Sequence, residues 1–168
     1  MHHPLVDQLV FTRSEFIRGM ENINDEDARR RFEPLNCIAW MMGHMAWHEQ
    51  LYWLTRTQGL IPLPKLNELV AGKGPATSPS LKEMIEDWKL ITRQADDYLF
   101  QLDEKKIQGE LVVAGNPKAF IIGNMLQRMI YHYWYHLGES QAIRQMLGHK
   151  DLPSYVGDIE SNAPYRRE

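Results

Sequence analysis

Two histidines, His132 and His136, lie four residues apart in a segment that the sequence predicts to be helical. Residues with this spacing lie one helical turn apart, with about 5–6 Å between their Cβ atoms, so both imidazoles could bind one cation. The same face carries apolar residues at steps of three and four, which turns the pair towards the interior: Met125, Met129, Ile143 and Leu147. A third ligand must come from another segment.

A third histidine, His44, is a candidate for that ligand because it lies in the most apolar helical segment of the chain. Three neutral nitrogen ligands from facing helices can bind a divalent transition metal and leave one coordination position open. An open position is typical of catalytic metal sites. Zinc and nickel lead the candidate metals, although histidine also binds copper, cobalt and iron. Since metal binding needs neutral imidazoles, occupancy should fall below a pH of roughly 6.5.

Neighbouring residues leave several interpretations open. His48, one turn after His44, is a rival fourth ligand or a partner of the ligands. Glu139, three residues after His136, could orient an imidazole or act as a catalytic base, and an exposed helix charge is nearly as good an interpretation. His149 follows the predicted end of the helix and should face solvent. Because histidines on apolar faces are often ordinary core residues, that role is the alternative to a metal site.

Apolar periodicity predicts four long helices, near residues 4–21, 36–57, 80–102 and 121–147. Arg13 is the one polar break in the first stripe, and the third stripe places Trp88 and Ile91 in the shared core. Asn36 is a candidate N-cap, and Ser80 begins a sequence typical of a capping box. The fold class is therefore all-α, a four-helix bundle forming one domain over residues 1–168.

The connection between the second and third helices is rich in Gly and Pro and spans residues 58–79. Within it, Lys65 to Val70 could form one or two helical turns. A crossover of this length can return the chain along the bundle, so an up-down-down-up order is open. Before the last helix, Leu111 to Val113 could be extended, and Gly115 to Pro117 should turn the chain.

Composition narrows the function classes. The chain has 168 residues and a formal net charge of -3 with scattered Lys and Arg, which argues against nucleic-acid partners. No apolar run is long enough for a membrane span, and no secretory signal precedes the first helix, so we expect a cytoplasmic protein. The single cysteine, Cys37, is predicted to be a buried, reduced thiol.

Aromatic side chains are numerous on the second and fourth helices. Tyr52, Trp53, Tyr133 and Trp134 exceed what one side of each helix can bury. Such residues could form a patch that faces a partner subunit. We therefore predict a homodimer.

Three motifs carry a family resemblance. They are Ile38-Ala39-Trp40-Met41-Met42-Gly43-His44-Met45-Ala46, then His132-x-x-x-His136-x-Gly138-Glu139, then Ile143-Arg144-x-x-Leu147-Gly148. In order and spacing the chain resembles the DinB/YfiT-like superfamily. The resemblance implies a four-helix bundle in which His44, His132 and His136 bind a divalent metal. It also implies chemistry with a low-molecular-weight thiol such as bacillithiol or mycothiol, because relatives with assigned activities include thiol-dependent S-transferases and isomerases.

Two functions compete at this stage. The first is a metal-dependent enzyme acting on a small molecule, as a thiol S-transferase or a related transferase, hydrolase or isomerase. The second is a non-catalytic, stress-related protein that binds a metal or ligand, which the lack of an unmistakable nucleophile favours. Phosphate transfer is disfavoured because the chain has no glycine-rich P-loop.

Overall fold

The computed structural model describes residues 2–115 and 118–165. Its elements follow the chain in this order: α1 (Pro4–Arg18), α2 (Asp25–Arg29), α3 (Ile38–Glu49), a π-helix (Gln50–Arg56), α4 (Lys65–Leu69), α5 (Leu81–Leu99), α6 (Glu104–Ile107), β1 (Glu110–Leu111), β2 (Phe120–Ile121), α7 (Ile122–Met146) and α8 (Ile159–Asn162). The two short strands pair antiparallel. The all-α class is therefore confirmed.

The four long helical segments coincide with the four predicted helices. α3 and the π-helix together form the second of them, because the π-helix continues α3 without a break. The helical turns expected within the crossover form α4, and Leu111 lies in β1. The predicted turn at Asn116 and Pro117 lies outside the described residues.

The starts of α3 and α5 differ from the sequence prediction. Cys37, not Asn36, is the N-cap of α3, and its side chain makes no capping hydrogen bond. Ser80 is the N-cap of α5, but its side chain does not cap the helix either. Instead, the Leu81 N–H donates to Asp25 Oδ1 over 2.7 Å. A carboxylate from α2 thus replaces the predicted capping box. The N-terminal end of a helix carries partial positive charge, which favours a carboxylate there.

Contacts between the long helices place α3 against both α5 and α7, and α1 against α7. α3 is buried on almost every face, as its all-round apolar sequence indicates. Trp88 and Ile91 of α5 are buried, which confirms that prediction. The two helices that carry the candidate ligands are therefore neighbours, while the up-down-down-up order of a four-helix bundle stays a prediction.

Three of the four aromatic residues assigned to a partner-facing patch belong to the core, and the fourth, Trp134, is half-buried against it. Trp53 and Tyr133 are fully buried, and Tyr52 is 6% exposed. That assignment was wrong for these three residues, because their side chains pack against other helices of the same chain. The exposed aromatic residues of α7 are Tyr131 and Tyr135, at 67% and 65%. The homodimer itself stays a prediction that light scattering can test.

Cys37 is fully buried, as predicted, and its Sγ lies 3.7 Å from the Thr77 carbonyl oxygen. Over residues 2–115 and 118–165, no helix combines the length and the apolar character that crossing a membrane requires.

Gly43 shows how closely α3 packs against its neighbours. A Cβ atom there would lie 3.0 Å from Val70 Cγ1 and would overlap the Met84 sulfur. We expect Gly43→Ala to lower the free energy of unfolding by about 1–3 kcal/mol in urea titrations, because the packed core must shift. Gly138→Ala in α7 is the matched control. Nothing lies within 4 Å of its added Cβ, so alanine's helix propensity should raise stability by up to about 1 kcal/mol. Equal changes in the free energy of unfolding for the two variants would contradict the close packing around Gly43.

Candidate metal centre

His44 of α3 meets His132 and His136 of α7 inside the protein. One ring nitrogen from each lies within 4.8 Å of the others. The ring centroid of His44 is 5.2 Å from that of His132 and 5.3 Å from that of His136. The structure thus brings together the three histidines that the sequence singled out. Three imidazole donors match a divalent transition metal and not calcium or magnesium, which prefer oxygen. The group could hold one metal ion.

Hydrogen bonds fix two of these rings. His44 Nδ1 lies 2.7 Å from the Val70 carbonyl oxygen, which can only accept, so we assign the proton to Nδ1. His136 Nδ1 lies 2.9 Å from Glu139 Oε2, and the same assignment follows. Each ring then keeps the lone pair of Nε2 available as a ligand. Bonds from the second ring nitrogen to a carbonyl or carboxylate are typical of metal-binding histidines.

The role of Glu139 is narrowed by this contact. Its side chain is 19% exposed and hydrogen-bonded to His136, so it is not merely an exposed helix charge. The carboxylate orients the imidazole one turn before it. A catalytic role for Glu139 as a base stays a prediction.

His48 lies beside the triad without joining it. Its ring centroid is 4.7 Å from that of His44 and 4.4 Å from that of His132. The group of converging ligand atoms nevertheless contains only the other three histidines among the described residues. This arrangement favours His48 as a neighbour of the site, facing the cavity described below.

Comparison with known families identifies the chain. The family model of the DinB superfamily matches residues 8–140, a range that includes the whole triad. The chain belongs to the DinB superfamily. This confirms the resemblance that the three sequence motifs indicated. A comparison with curated proteins gave no significant match.

Burial keeps two imidazoles of this DinB-superfamily site, His44 and His132, neutral. The pKa of His44 is lowered to about 4 and that of His132 to about 3, and desolvation by burial is the main cause of both shifts. A neighbouring His136 lowers both further, since two positive charges would repel. Neutral imidazole is the form that binds metal. The fold therefore prepares these ligands at neutral pH.

These pKa values change the pH at which metal should be released. Protons compete for a ligand only below its pKa in the folded state, and both values lie below the roughly 6.5 of a free histidine. We therefore expect half of the bound zinc to be released at a pH below the roughly 6.5 of a free histidine. Equilibrium dialysis at a series of pH values, with circular dichroism to confirm folding, measures this. Half-release already at about pH 6.5 would contradict it.

A cavity of about 600 Å³ opens beside the triad. Its lining combines aromatic, amide, imidazole and guanidinium groups: His48, Tyr52, Asn124, Gln127, Arg128, Tyr131 and His132. The volume lies within the range of small-molecule sites. Because His132 belongs to both the triad and the cavity wall, a molecule in the cavity would reach the candidate metal ligands.

His149 does not face solvent as predicted. Its Nδ1 accepts a hydrogen bond from Arg144 Nε over 3.2 Å, and its Nε2 lies 3.1 Å from Asp27 Oδ2. The side chain is half-buried and bridges the end of α7 to α2. Neither of its ring nitrogens belongs to the converging group of ligand atoms.

Sequence reasoning missed a buried charged cluster behind the site. Arg13 donates from Nε and Nη2 to the two oxygens of Glu49, over 2.7 and 2.6 Å, and from Nη1 to Asp96 Oδ1 over 2.7 Å. The Tyr133 hydroxyl donates to Glu49, and Trp88 Nε1 donates to that hydroxyl. The only sequence signal was the charge of Arg13 on an apolar face. The cluster joins α1, α3, α5 and α7.

Proposed function

We propose that this chain binds one divalent transition metal through His44, His132 and His136 and acts as a metal-dependent enzyme on a small molecule. The observation that carries the proposal is the convergence of three ring nitrogens within 4.8 Å beside a cavity of about 600 Å³. Three protein ligands leave a coordination position for a substrate. We place this site in a four-helix bundle, since its ligands come from two of four long packed helices.

Different residues of the chain would have different roles in this function. Val70 and Glu139 hold the His44 and His136 rings so that Nε2 is available. A bound divalent ion would act as a Lewis acid and favour the ionised form of a thiol or water. Glu139 is the candidate base, since it lies next to the triad and carries a carboxylate.

We infer that the reaction is a thiol S-transfer. Its support is membership of the DinB superfamily, together with the resemblance to relatives that use bacillithiol or mycothiol. The non-catalytic alternative has support of its own, because no carboxylate or thiol is among the described residues that line the cavity. A protein of that kind would hold a metal or ligand without turning it over.

Metal analysis combined with a thiol assay separates these possibilities. Dialysed protein should retain one equivalent of zinc or nickel per chain, because the three histidines form one site. In the cobalt-substituted protein, adding bacillithiol should produce a thiolate-to-cobalt absorption band, and the loaded enzyme should consume the thiol with an aryl halide. A retained metal without the band or turnover would favour the non-catalytic function. Loss of all metal on dialysis would remove the enzyme proposal and would leave ligand binding as the non-catalytic function.

A further inference from the structure

Two adjoining cavities form a cleft between the π-helix and the start of α7. The cavity of about 600 Å³ beside His132 and a second of about 210 Å³ share Tyr52, Asn124 and Arg128 in their walls. The second cavity extends to Phe120 of β2. The cleft therefore leads from the metal ligands to the short sheet. π-Helical segments are frequent at functional sites, and this one supplies Tyr52.

Arg56, also in the π-helix, is held at this cleft by two aromatic rings. Its Cζ lies 4.7 Å from the centroid of the Tyr52 ring and 4.5 Å from that of Phe120, both of which line the smaller cavity. The Nη1 atom is buried, and no hydrogen-bond acceptor for it exists in the described part of the chain. A buried donor without an acceptor is costly. Arg56 lies behind these two rings and is not among the lining residues of either cavity, so a ligand oxygen would reach and satisfy it where the rings part.

The cleft is positively charged. Arg128 lines both cavities, and neither cavity has an acidic residue among its described lining residues. Neither Arg56 nor Arg128 forms an ion pair within residues 2–115 and 118–165. Burial is the main cause of the low pKa values of His48 and His132, and the charges of Arg56 and Arg128, respectively, lower them further.

We propose that this cleft binds a small molecule through an anionic oxygen group, a carboxylate or phosphate, held by Arg56 and Arg128. Guanidinium groups match both anions because their planar N–H forks can donate two hydrogen bonds at once. The rest of the ligand would extend along the larger cavity towards His132. The inference deepens the proposed function by naming its substrate class, and it rests on that function only for the reaction at the far end.

Titration calorimetry on metal-free protein tests the anion site separately from the metal. The probes are succinate and glycerol phosphate, with succinamide and glycerol as uncharged counterparts. At least one anion should bind and neither neutral probe should. Whichever anion binds more tightly identifies the group as carboxylate or phosphate.

Arginine variants test which side chains hold the anion. Arg128→Gln should weaken binding by about tenfold or more, as expected for a lost charge-assisted hydrogen bond. Arg128 is exposed, so this variant should fold normally. Arg56→Gln should act in the same direction, and Arg56→Lys should retain part of the affinity because it keeps the charge. Arg93→Gln removes an exposed charge from α5, outside both cavities, and should leave binding unchanged.

Four results would overturn the proposal: no binding of either anion, equal binding of the neutral probes, full affinity in Arg128→Gln, or anion binding that appears only after zinc is added. The last would show that the metal and not the arginines holds the anion. Zinc uptake by the same preparations reports on the proposed function alone. A protein that binds succinate but takes up no zinc would lose the enzyme proposal and keep the anion site.

Discussion

His136→Ala is expected to abolish tight metal binding. The substitution removes one of three candidate ligand atoms and frees the Glu139 carboxylate from the only side-chain hydrogen bond described for it. Loss of an outer partner of a ligand already weakens metal binding by about 10–100-fold, so loss of the ligand itself should exceed about 100-fold. Competition with a chelator of known zinc affinity measures the change. His44→Ala and His132→Ala should behave in the same way.

Two further histidines serve as controls in this series. His149→Ala should retain the parental affinity, since His149 pairs with Arg144 and Asp27 and lies outside the triad. His48→Ala should change affinity far less than the triad variants, because His48 does not belong to the converging group. Unchanged zinc content in His44→Ala and His136→Ala would make the histidines ordinary core residues. A loss in His48→Ala as large as in His136→Ala would make His48 a fourth ligand.

The helices and the triad could be predicted from sequence because both depend on local spacing. His132 and His136 share a face wherever their helix forms, whatever packs against it. The segment around His44 is apolar on all sides, which requires neighbours on all sides. Together these two facts were enough to expect the three rings in one interior region. The hydrogen bond that selects the tautomer of His44 could not be predicted, because Val70 lies 26 residues away.

Contacts between distant residues explain the other differences. Asp25, 56 residues before Leu81, replaces the predicted capping box, and Asp27, 122 residues before His149, draws that side chain from solvent. A periodic pattern shows which face of a helix is buried but not which side chain of another helix meets it. The π-helix escaped prediction for a similar reason, since its changed hydrogen-bond register leaves the apolar composition unaltered.

Arg13 is the clearest case of a residue whose role depended on a distant partner. In the sequence it is a polar break in an apolar stripe, whereas in the fold it is 5% exposed and bound to Glu49, 36 residues away. Burial alone would lower the pKa of Arg13, but the charge and hydrogen bonds of Glu49 raise it above its usual value. Arg13 therefore remains charged inside the protein.

Glu49→Ala is expected to lower the free energy of unfolding by about 3–5 kcal/mol, because it leaves the buried Arg13 charge without its main partner. It also removes the acceptor of the Tyr133 hydroxyl. Urea denaturation measures the change, with Glu86→Ala, an exposed glutamate of α5, as a control that should shift stability by less than about 0.5 kcal/mol. The double variant Arg13→Met, Glu49→Met removes both charges and should be less destabilised than Glu49→Ala.

The same cluster should influence the metal site through helix rotation. Glu49 lies five residues after His44 and Tyr133 lies one residue after His132, so at about 100° per residue the two side chains point about 140° and about 100° away from those histidines. When the cluster holds Glu49 and Tyr133, it therefore also fixes the rotation of α3 and α7 about their own axes. That rotation sets the direction in which the triad histidines point. Glu49→Ala should thus weaken zinc binding even at temperatures where the variant remains folded by circular dichroism. Full zinc affinity in a folded but destabilised Glu49→Ala protein would show that the cluster supports the fold without positioning the ligands.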